Sequence, residues 1–211
     1  GLSLVVVAGA AAAAAWLHFT GYAADPFPGH FSIDAPSALA KAVVLALAVP
    51  VLLLARDDFP EGPFYPLFLS SLYGFCLLMS ADSFLTLFLG LEIMSIPVYV
   101  MVLLAFRRPE SVEAALKYLV LGGAATAMFL MGVSLLYGGK GSLALSAFTA
   151  ALGTTDTMAT TAVVLVVVAF FLKAAIVPFH AWAPDAYEGA SLPVTAYMAT
   201  IIKAGVLLAA L

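Results

Sequence analysis

The sequence predicts an all-α integral membrane protein, and three observations lead to that prediction. Hydrophobic residues make up 64% of the 211 residues and charged residues only 9%, whereas an ordinary soluble domain carries about 25% charged residues. The apolar residues form long runs, and most of these runs approach the roughly 20 helical residues that cross a hydrocarbon core of about 30 Å. The alternation of polar and apolar residues that marks a membrane β-barrel strand is absent from these runs.

Seven segments are long and apolar enough to form a bundle of about seven transmembrane helices. Lipid offers the backbone no hydrogen-bond partner, so each segment must satisfy its own N–H and C=O groups as a helix. The chain starts without an initiator Met and ends within an apolar run, so we interpret it as a fragment. We expect the spans at residues 1–16, 38–55, 63–79, 83–106, 114–137, 161–182 and 192–211.

Basic residues in the short connections predict the orientation of the helices. Arg56, Arg107 and Arg108 fall on one side of the membrane, and only Lys140 falls on the other. Because cytoplasmic loops carry an excess of Lys and Arg, we expect the Arg56 and Arg107/Arg108 loops in the cytoplasm.

Composition and motifs exclude several classes of function. The formal net charge of −4 gives no basic surface for nucleic acid. The sequence contains neither a phosphate-binding loop nor a cluster of metal ligands. The single Cys76 excludes a disulfide within the chain. The lipid bilayer is therefore the partner that composition indicates.

Three charged residues are predicted to lie near the middle of the membrane: Glu92, Lys173 and Lys203. At a rise of about 1.5 Å per residue, each lies roughly 15 to 18 Å from one end of its helix. A charge at that depth costs several kcal/mol, so it is expected to face the bundle interior or water and to have a function. A purely structural ion pair between Glu92 and one lysine is the alternative.

Prolines follow two of these charged residues at the same spacing. Pro97 comes five residues after Glu92, and Pro178 comes five residues after Lys173. A proline inside a helix frees the carbonyl four residues earlier, which here lies beside the charged residue. The segment after Lys173 also contains Pro184, so we expect this helix to be broken near Pro178 and the other helix only to kink.

Lys117 and His180 are further candidate site residues. Lys117 follows Glu113 at the i,i+4 spacing, which places both side chains on one helix face, so a capping and snorkelling pair is the alternative to a functional Lys117. His180 follows the predicted break, and a histidine can gain and lose a proton near neutral pH. A hydrogen-bonded structural histidine is the alternative at that position.

Four stretches of sequence closely resemble the antiporter-like membrane subunits of respiratory complex I, and among these the subunit N type. The resemblance extends from about residue 63 to the end of the chain. The stretches are GLEIMSIPVY at 90–99, EAALKYLVLG at 113–122, FLKAAIVPFHAWAPDAYEGA at 171–190, and PVTA at 193–196 with Lys203 downstream.

The resemblance implies a fold of fourteen transmembrane helices that contains two inverted five-helix repeats, with one helix broken at its centre. This chain then corresponds to the second through eighth helices. Residues 1–62 would form two leading helices and residues 63–211 the first repeat, while the second repeat is absent from the chain.

The resemblance also implies roles for the candidate site residues. Glu92 and Lys173 form a charge pair that controls a proton on the lysine, and Lys203 continues a central polar axis. Lys117 and His180 are connecting polar residues. Burial disfavours a charged lysine and a nearby carboxylate favours it, so a change in the distance between Glu92 and Lys173 would load or release a proton.

The implied function is that of a proton-translocating membrane subunit of NADH:quinone oxidoreductase in a bacterial inner membrane. The other membrane and peripheral subunits of that enzyme would be its partners. NADH, FMN, iron–sulfur clusters and quinone would belong to those partners and none of them to this chain. Two alternatives share the Glu and Lys core: a subunit of an Mrp-type cation/proton antiporter and a membrane subunit of an energy-converting hydrogenase. A purely structural membrane anchor would gain nothing from three midplane charges.

Overall fold

The computed structural model describes residues 1–60, 62–104 and 109–210, which form a helical bundle and one small β-hairpin. In chain order the elements are α1 (Leu2–Thr20), β1 (Ala24–Phe27), β2 (Phe31–Ile33), α2 (Ala35–Asp58), α3 (Phe64–Leu78), α4 (Phe84–Leu103), α5 (Pro109–Lys140), α6 (Ser146–Leu152), α7 (Thr157–Ala174), α8 (Trp182–Gly189), α9 (Leu192–Tyr197), a π-helical turn (Met198–Ile202) and α10 (Lys203–Ala209).

The prediction of an all-α membrane bundle is confirmed. Within the described residues, six helical stretches are long and apolar enough to cross a membrane: α1, α2, α4, α5, α7 and the continuous stretch from α9 to α10. The remaining predicted span, the third at residues 63–79, corresponds to α3, which has only 15 residues. Its length of about 22 Å is shorter than a hydrocarbon core of about 30 Å.

Two predicted features fall where the chain is not described. The fourth span was expected to reach residue 106, whereas α4 ends at Leu103 and residues 105–108 lie outside the described residues. Arg107 and Arg108, on which the predicted orientation partly depends, are among them.

The connection between α1 and α2 folds as a β-hairpin, which the sequence does not predict. Its turn runs from Phe27 to His30, whose N–H donates to the Phe27 carbonyl at 2.9 Å. Pro28 and Gly29 occupy the two central positions, and Gly29 has φ 75°. Proline followed by a residue with positive φ is the arrangement of a type II turn, in which glycine avoids the strain of a side chain.

The hairpin closes one end of the bundle. Ser32 N–H donates to the Ser80 carbonyl at 3.0 Å, and Asp82 N–H donates to the His30 carbonyl at 3.1 Å. These bonds join the hairpin to the connection between α3 and α4. They satisfy backbone groups that would otherwise lack partners at this end of the bundle.

Helix α3 packs directly against the backbone of α4 beside Glu92. A Cβ atom on Gly74 would lie 2.2 Å from the Met94 nitrogen and 2.6 Å from the Ile93 carbonyl carbon. In addition, Ser71 Oγ donates to the Met94 carbonyl at 2.6 Å. Small residues permit this close approach between membrane helices, and the contact fixes the stretch of α4 that carries Glu92.

We expect Gly74→Ala to destabilise the full-length subunit and Gly123→Ala to leave its stability nearly unchanged. The added methyl group at position 74 meets the α4 backbone, whereas nothing lies within 4 Å of a Cβ on the exposed Gly123. Overpacking of this kind typically costs about 1–3 kcal/mol. The measurement is thermal unfolding of each detergent-solubilised variant, and equal midpoints for the two variants would contradict the close α3–α4 contact.

Candidate functional site

A buried ion pair lies at the centre of the bundle. Lys173, near the end of α7, donates from Nζ to Oε1 of Glu92 in the middle of α4, at 3.0 Å. The side chain of Lys173 is 6% exposed and that of Glu92 is 20% exposed. Two charges so far from water require a partner of opposite charge and further hydrogen bonds to be stable.

Thr126 provides the further hydrogen bond. Its Oγ1 on α5 donates to Oε1 of Glu92 at 2.7 Å, so the carboxylate oxygen accepts from both Thr126 and Lys173. The same hydroxyl lies 3.1 Å from the carbonyl of Gly122 in its own helix. Sequence reasoning missed this residue. The available signal was that Thr126 is the only hydroxyl residue between Tyr118 and Ser134 in an apolar helix.

The predicted break near Pro178 is confirmed, and the helix ends earlier than the proline itself. Helix α7 stops at Ala174, and Ala175 has the left-handed values φ 55° and ψ 43°. Ile176 N–H donates to the Phe171 carbonyl at 2.9 Å, while Ala175 N–H lies 3.3 Å from the Leu172 carbonyl. This pair of bonds is a Schellman motif. In a continued helix Pro178 could not donate to the Ala174 carbonyl and would crowd it, which favours the end of α7 at Ala174.

A small cavity lies beside Lys173. Its volume is about 10 Å³, which is about the space that one water molecule requires. Ser95, Tyr99, Tyr118 and Trp182 contribute to its wall. The ammonium group therefore adjoins a space with several hydroxyl-bearing side chains.

Lys203 follows a π-helical turn and lies apart from the carboxylates of the described residues. It begins α10, is half-buried, and its Nζ lies 5.3 Å from the centre of the Tyr187 ring. A cation over an aromatic face is stabilised electrostatically. The Tyr187 hydroxyl and the Ser191 hydroxyl are both buried and have no hydrogen-bond partner in the described part of the chain.

Lys117 and His180 lie apart from the buried ion pair. Lys117 Nζ lies 2.7 Å from Oε1 of Glu113 and 2.6 Å from Oδ2 of Asp185 on α8, and about half of each of these side chains or more is exposed. His180 is exposed in the turn between α7 and α8. Lys117 thus joins two helices at an accessible end of the bundle.

The described residues bring no three His, Cys, Asp or Glu side chains together as a metal site would require. The site consists of one acid, one buried base, a hydroxyl donor and a helix end. Such a constellation can hold and release a proton.

Comparison with known proteins decides the family. Residues 81–211 match the family model described as NADH:quinone oxidoreductase/Mrp antiporter, transmembrane region. The chain belongs to this family. Both buried charges of the ion pair and Lys203 fall within the matched region.

Individual proteins of the family resemble the chain over nearly its whole length. Subunit N of the NADH-quinone oxidoreductase of Pelobacter propionicus is 38% identical over 189 residues, which cover 90% of this chain and 41% of that protein. Respiratory complex I from Thermus thermophilus with bound aureothin contains a chain with a TM-score of 0.84 and 34% identity. That match covers 99% of this chain and 46% of the other. The chain therefore spans less than half the length of these relatives.

The Mrp complex from Dietzia sp. shares the fold. Its matching chain has a TM-score of 0.80 at 24% identity, over 92% of this chain and 39% of that chain. The antiporter-like fold is thus common to both branches that the family name combines.

We expect Thr126→Val to raise the reactivity of Glu92 toward dicyclohexylcarbodiimide, which modifies protonated carboxyl groups in membranes. The substitution keeps the shape of the side chain and removes the bond that stabilises the ionised carboxylate. A hydrogen bond to a charged group contributes about 1.5–3 kcal/mol, so the labelling rate is expected to rise about tenfold. Mass spectrometry of the Glu92 peptide measures the labelling rate.

Thr161→Val is the matched control, because the Thr161 hydroxyl is exposed and bonds only to the Thr157 carbonyl of its own helix. The control is expected to label at the wild-type rate. A wild-type rate for Thr126→Val as well would mean that the Thr126 hydroxyl does not hold the carboxylate.

Proposed function

We propose that the chain is part of a proton-translocating membrane subunit of NADH:quinone oxidoreductase, of the subunit N type. The observation that carries the proposal is the buried Lys173–Glu92 pair at a helix break. A structural ion pair needs no opened helix beside it, whereas a proton carrier needs a route to its nitrogen. The relatives named subunit N, at 38% identity, support the choice of type.

The mechanism is electrostatic. In the loaded state Lys173 carries a proton on Nζ and Glu92 is ionised, and the two charges stabilise each other at 3.0 Å. When the carboxylate is neutralised or withdrawn, the charged lysine loses its counter-charge in an environment of low dielectric constant. One N–H bond then breaks, its proton passes to a water molecule, and a neutral amine remains.

Other polar residues extend the route on either side of this pair. Lys203 receives the proton next along the central axis, and Thr126 holds the carboxylate oxygen that faces the lysine. Lys117 and His180, both accessible in the folded chain, connect the axis to the aqueous phase.

We further propose that the subunit lies in a bacterial inner membrane with the Arg56 and Arg107/Arg108 loops in the cytoplasm. The excess of basic residues in these loops supports this orientation. Residues 63–211 form the first five-helix repeat and residues 1–62 two leading helices. Support for this division is that five helical stretches lie in the described part of residues 63–211: α3, α4, α5, α7 and the stretch from α9 to α10.

The redox chemistry belongs to partner subunits. NADH, FMN, iron–sulfur clusters and quinone are bound there, and the energy of quinone reduction reaches this subunit as a change in the distance between Glu92 and Lys173. Such coupling between separate sites needs an element with two arrangements. The turn between α7 and α8 is our candidate for that element.

An Mrp-type cation/proton antiporter subunit is the second candidate function. The shared fold, with a TM-score of 0.80, favours it, and an antiporter would use the same buried pair without redox partners. Purification of the intact complex separates the two candidates, because NADH-oxidising subunits co-purify in one case and antiporter subunits in the other.

We expect Lys173→Arg to abolish proton pumping as completely as Lys173→Ala, although arginine keeps the positive charge. A guanidinium group stays protonated in proteins and cannot release its proton. The measurement is the number of protons pumped per NADH oxidised by the complex in reconstituted vesicles. Wild-type pumping by the arginine variant would show that Lys173 is a fixed structural charge.

Glu92→Gln is expected to lower proton pumping and the coupled reduction of quinone, with assembly of the complex intact. The amide retains the size of the side chain and its acceptor oxygen for Thr126 but loses the charge that stabilises Lys173. Glu110→Gln is the matched control, because Glu110 is exposed in the first turn of α5 and has no role in the proposed route. If both variants pump like the wild type, Glu92 does not control the lysine.

A further inference from the structure

Four aromatic rings form a continuous chain beside the buried ion pair. Tyr99 on α4 contacts Tyr118 on α5 edge to face, with ring centres 4.6 Å apart. Tyr118 stacks on Trp182 of α8 at 4.5 Å with an angle of 8° between the planes. Trp182 in turn contacts Tyr187 at 6.4 Å. All three separations lie within the range of favourable aromatic pairs.

Trp182 also makes a polar contact across the helix break. Its indole N–H donates to the carbonyl of Leu172 at 2.8 Å, the residue directly before Lys173. The last carbonyls of a helix lack their usual partners, and here the Leu172 carbonyl accepts from the indole in addition to the 3.3 Å contact from Ala175 N–H. The indole thus caps the turn that carries the lysine.

The Trp182 ring is held on α5 by the attachment of its own helix. Ser111 Oγ donates to the Gly189 carbonyl at 2.6 Å. A Cβ atom on Gly189 would lie 2.4 Å from the Cβ of Ala114, so α8 and α5 are in direct contact. Since Tyr118 covers one face of the indole, Trp182 cannot shift without α5.

Helix α5 therefore fixes both members of the ion pair. Its Thr126 holds the Glu92 carboxylate directly. Its Tyr118 holds Trp182, and Trp182 holds the end of α7 next to Lys173.

We propose that Trp182 is a positioning residue for Lys173. Its N–H fixes the last turn of α7. Its stack on Tyr118 keeps that turn against α5, whose Thr126 donates to the Glu92 carboxylate. The proposal rests on the proposed function, because it assigns Trp182 a part in keeping the proton carrier against its carboxylate.

Trp182→Phe tests the proposal, since phenylalanine retains a ring for Tyr118 and cannot donate to Leu172. Loss of one net hydrogen bond changes an equilibrium about fivefold, so the initial rate of proton pumping is expected to fall about fivefold. The pH profile of pumping is also expected to change, because a looser contact with Glu92 stabilises the charged lysine less. Both are measured on the full complex in vesicles.

Two further variants separate the hydrogen bond from folding. Trp16→Phe changes the other tryptophan, which is 63% exposed on α1, and is expected to match the wild type in rate and pH dependence. Incorporation of 3-benzothienylalanine at position 182 keeps the two-ring shape with sulfur in place of N–H. It is expected to reproduce the loss that Trp182→Phe causes.

The outcomes distinguish this proposal from the proposed function. If Lys173→Ala abolishes pumping while Trp182→Phe or the sulfur analogue pumps like the wild type, Trp182 does not position the lysine and the proposed function stands. A lower yield of assembled complex with an unchanged pH dependence would assign Trp182 a purely structural role and also overturn the proposal. Wild-type pumping by Lys173→Ala would instead overturn the proposed function itself.

Discussion

The fold is organised around the cost of placing one charged amine in the apolar interior of the bundle. Lys173 and Glu92 are stable there only because their opposite charges meet at 3.0 Å and because Thr126 gives the carboxylate a second donor. A lone charge of either sign would neutralise instead. The close contact of α3 with the α4 backbone, the end of α7 at Ala174 and the attachment of α8 to α5 all serve to hold this geometry.

Composition and prolines made most of the architecture predictable from the sequence. Hydropathy finds the helices because every backbone group in lipid must bond within its own segment. Pro178 marks the break because it removes a backbone donor and crowds the preceding turn, although α4 continues through Pro97 at the same spacing. The length of α3 could not be predicted, since its 15 residues are followed by a connection that the hairpin binds through Ser80. That contact joins residues almost fifty positions apart, which no local pattern records.

The site was predictable for its charges and not for their neighbours. Depth alone singles out Glu92 and Lys173, because a buried charge is conspicuous in an apolar helix. Thr126 and Trp182 are unremarkable in sequence, since threonine can bond to its own helix and tryptophan is common at membrane interfaces. Their importance depends on which helices become neighbours. Lys117 shows the converse. Its charge is conspicuous in the sequence, but in the structure it lies outside the buried site, in an accessible cluster with Glu113 and Asp185.

Lys173 and Lys203 differ in what stabilises their charge, and on the proposed function this difference would give the proton path a direction. Lys173 faces a carboxylate at hydrogen-bond distance, whereas Lys203 lies over the Tyr187 ring at 5.3 Å. A cation–π contact is worth about 0.5–2 kcal/mol, less than breaking a buried ion pair costs, which is about 3–5 kcal/mol. On the proposed function, a proton would therefore stay on Lys173 while Glu92 is ionised and in place. It would move toward Lys203 only when the carboxylate is neutralised or withdrawn, which would put control of the path in the position and charge of Glu92.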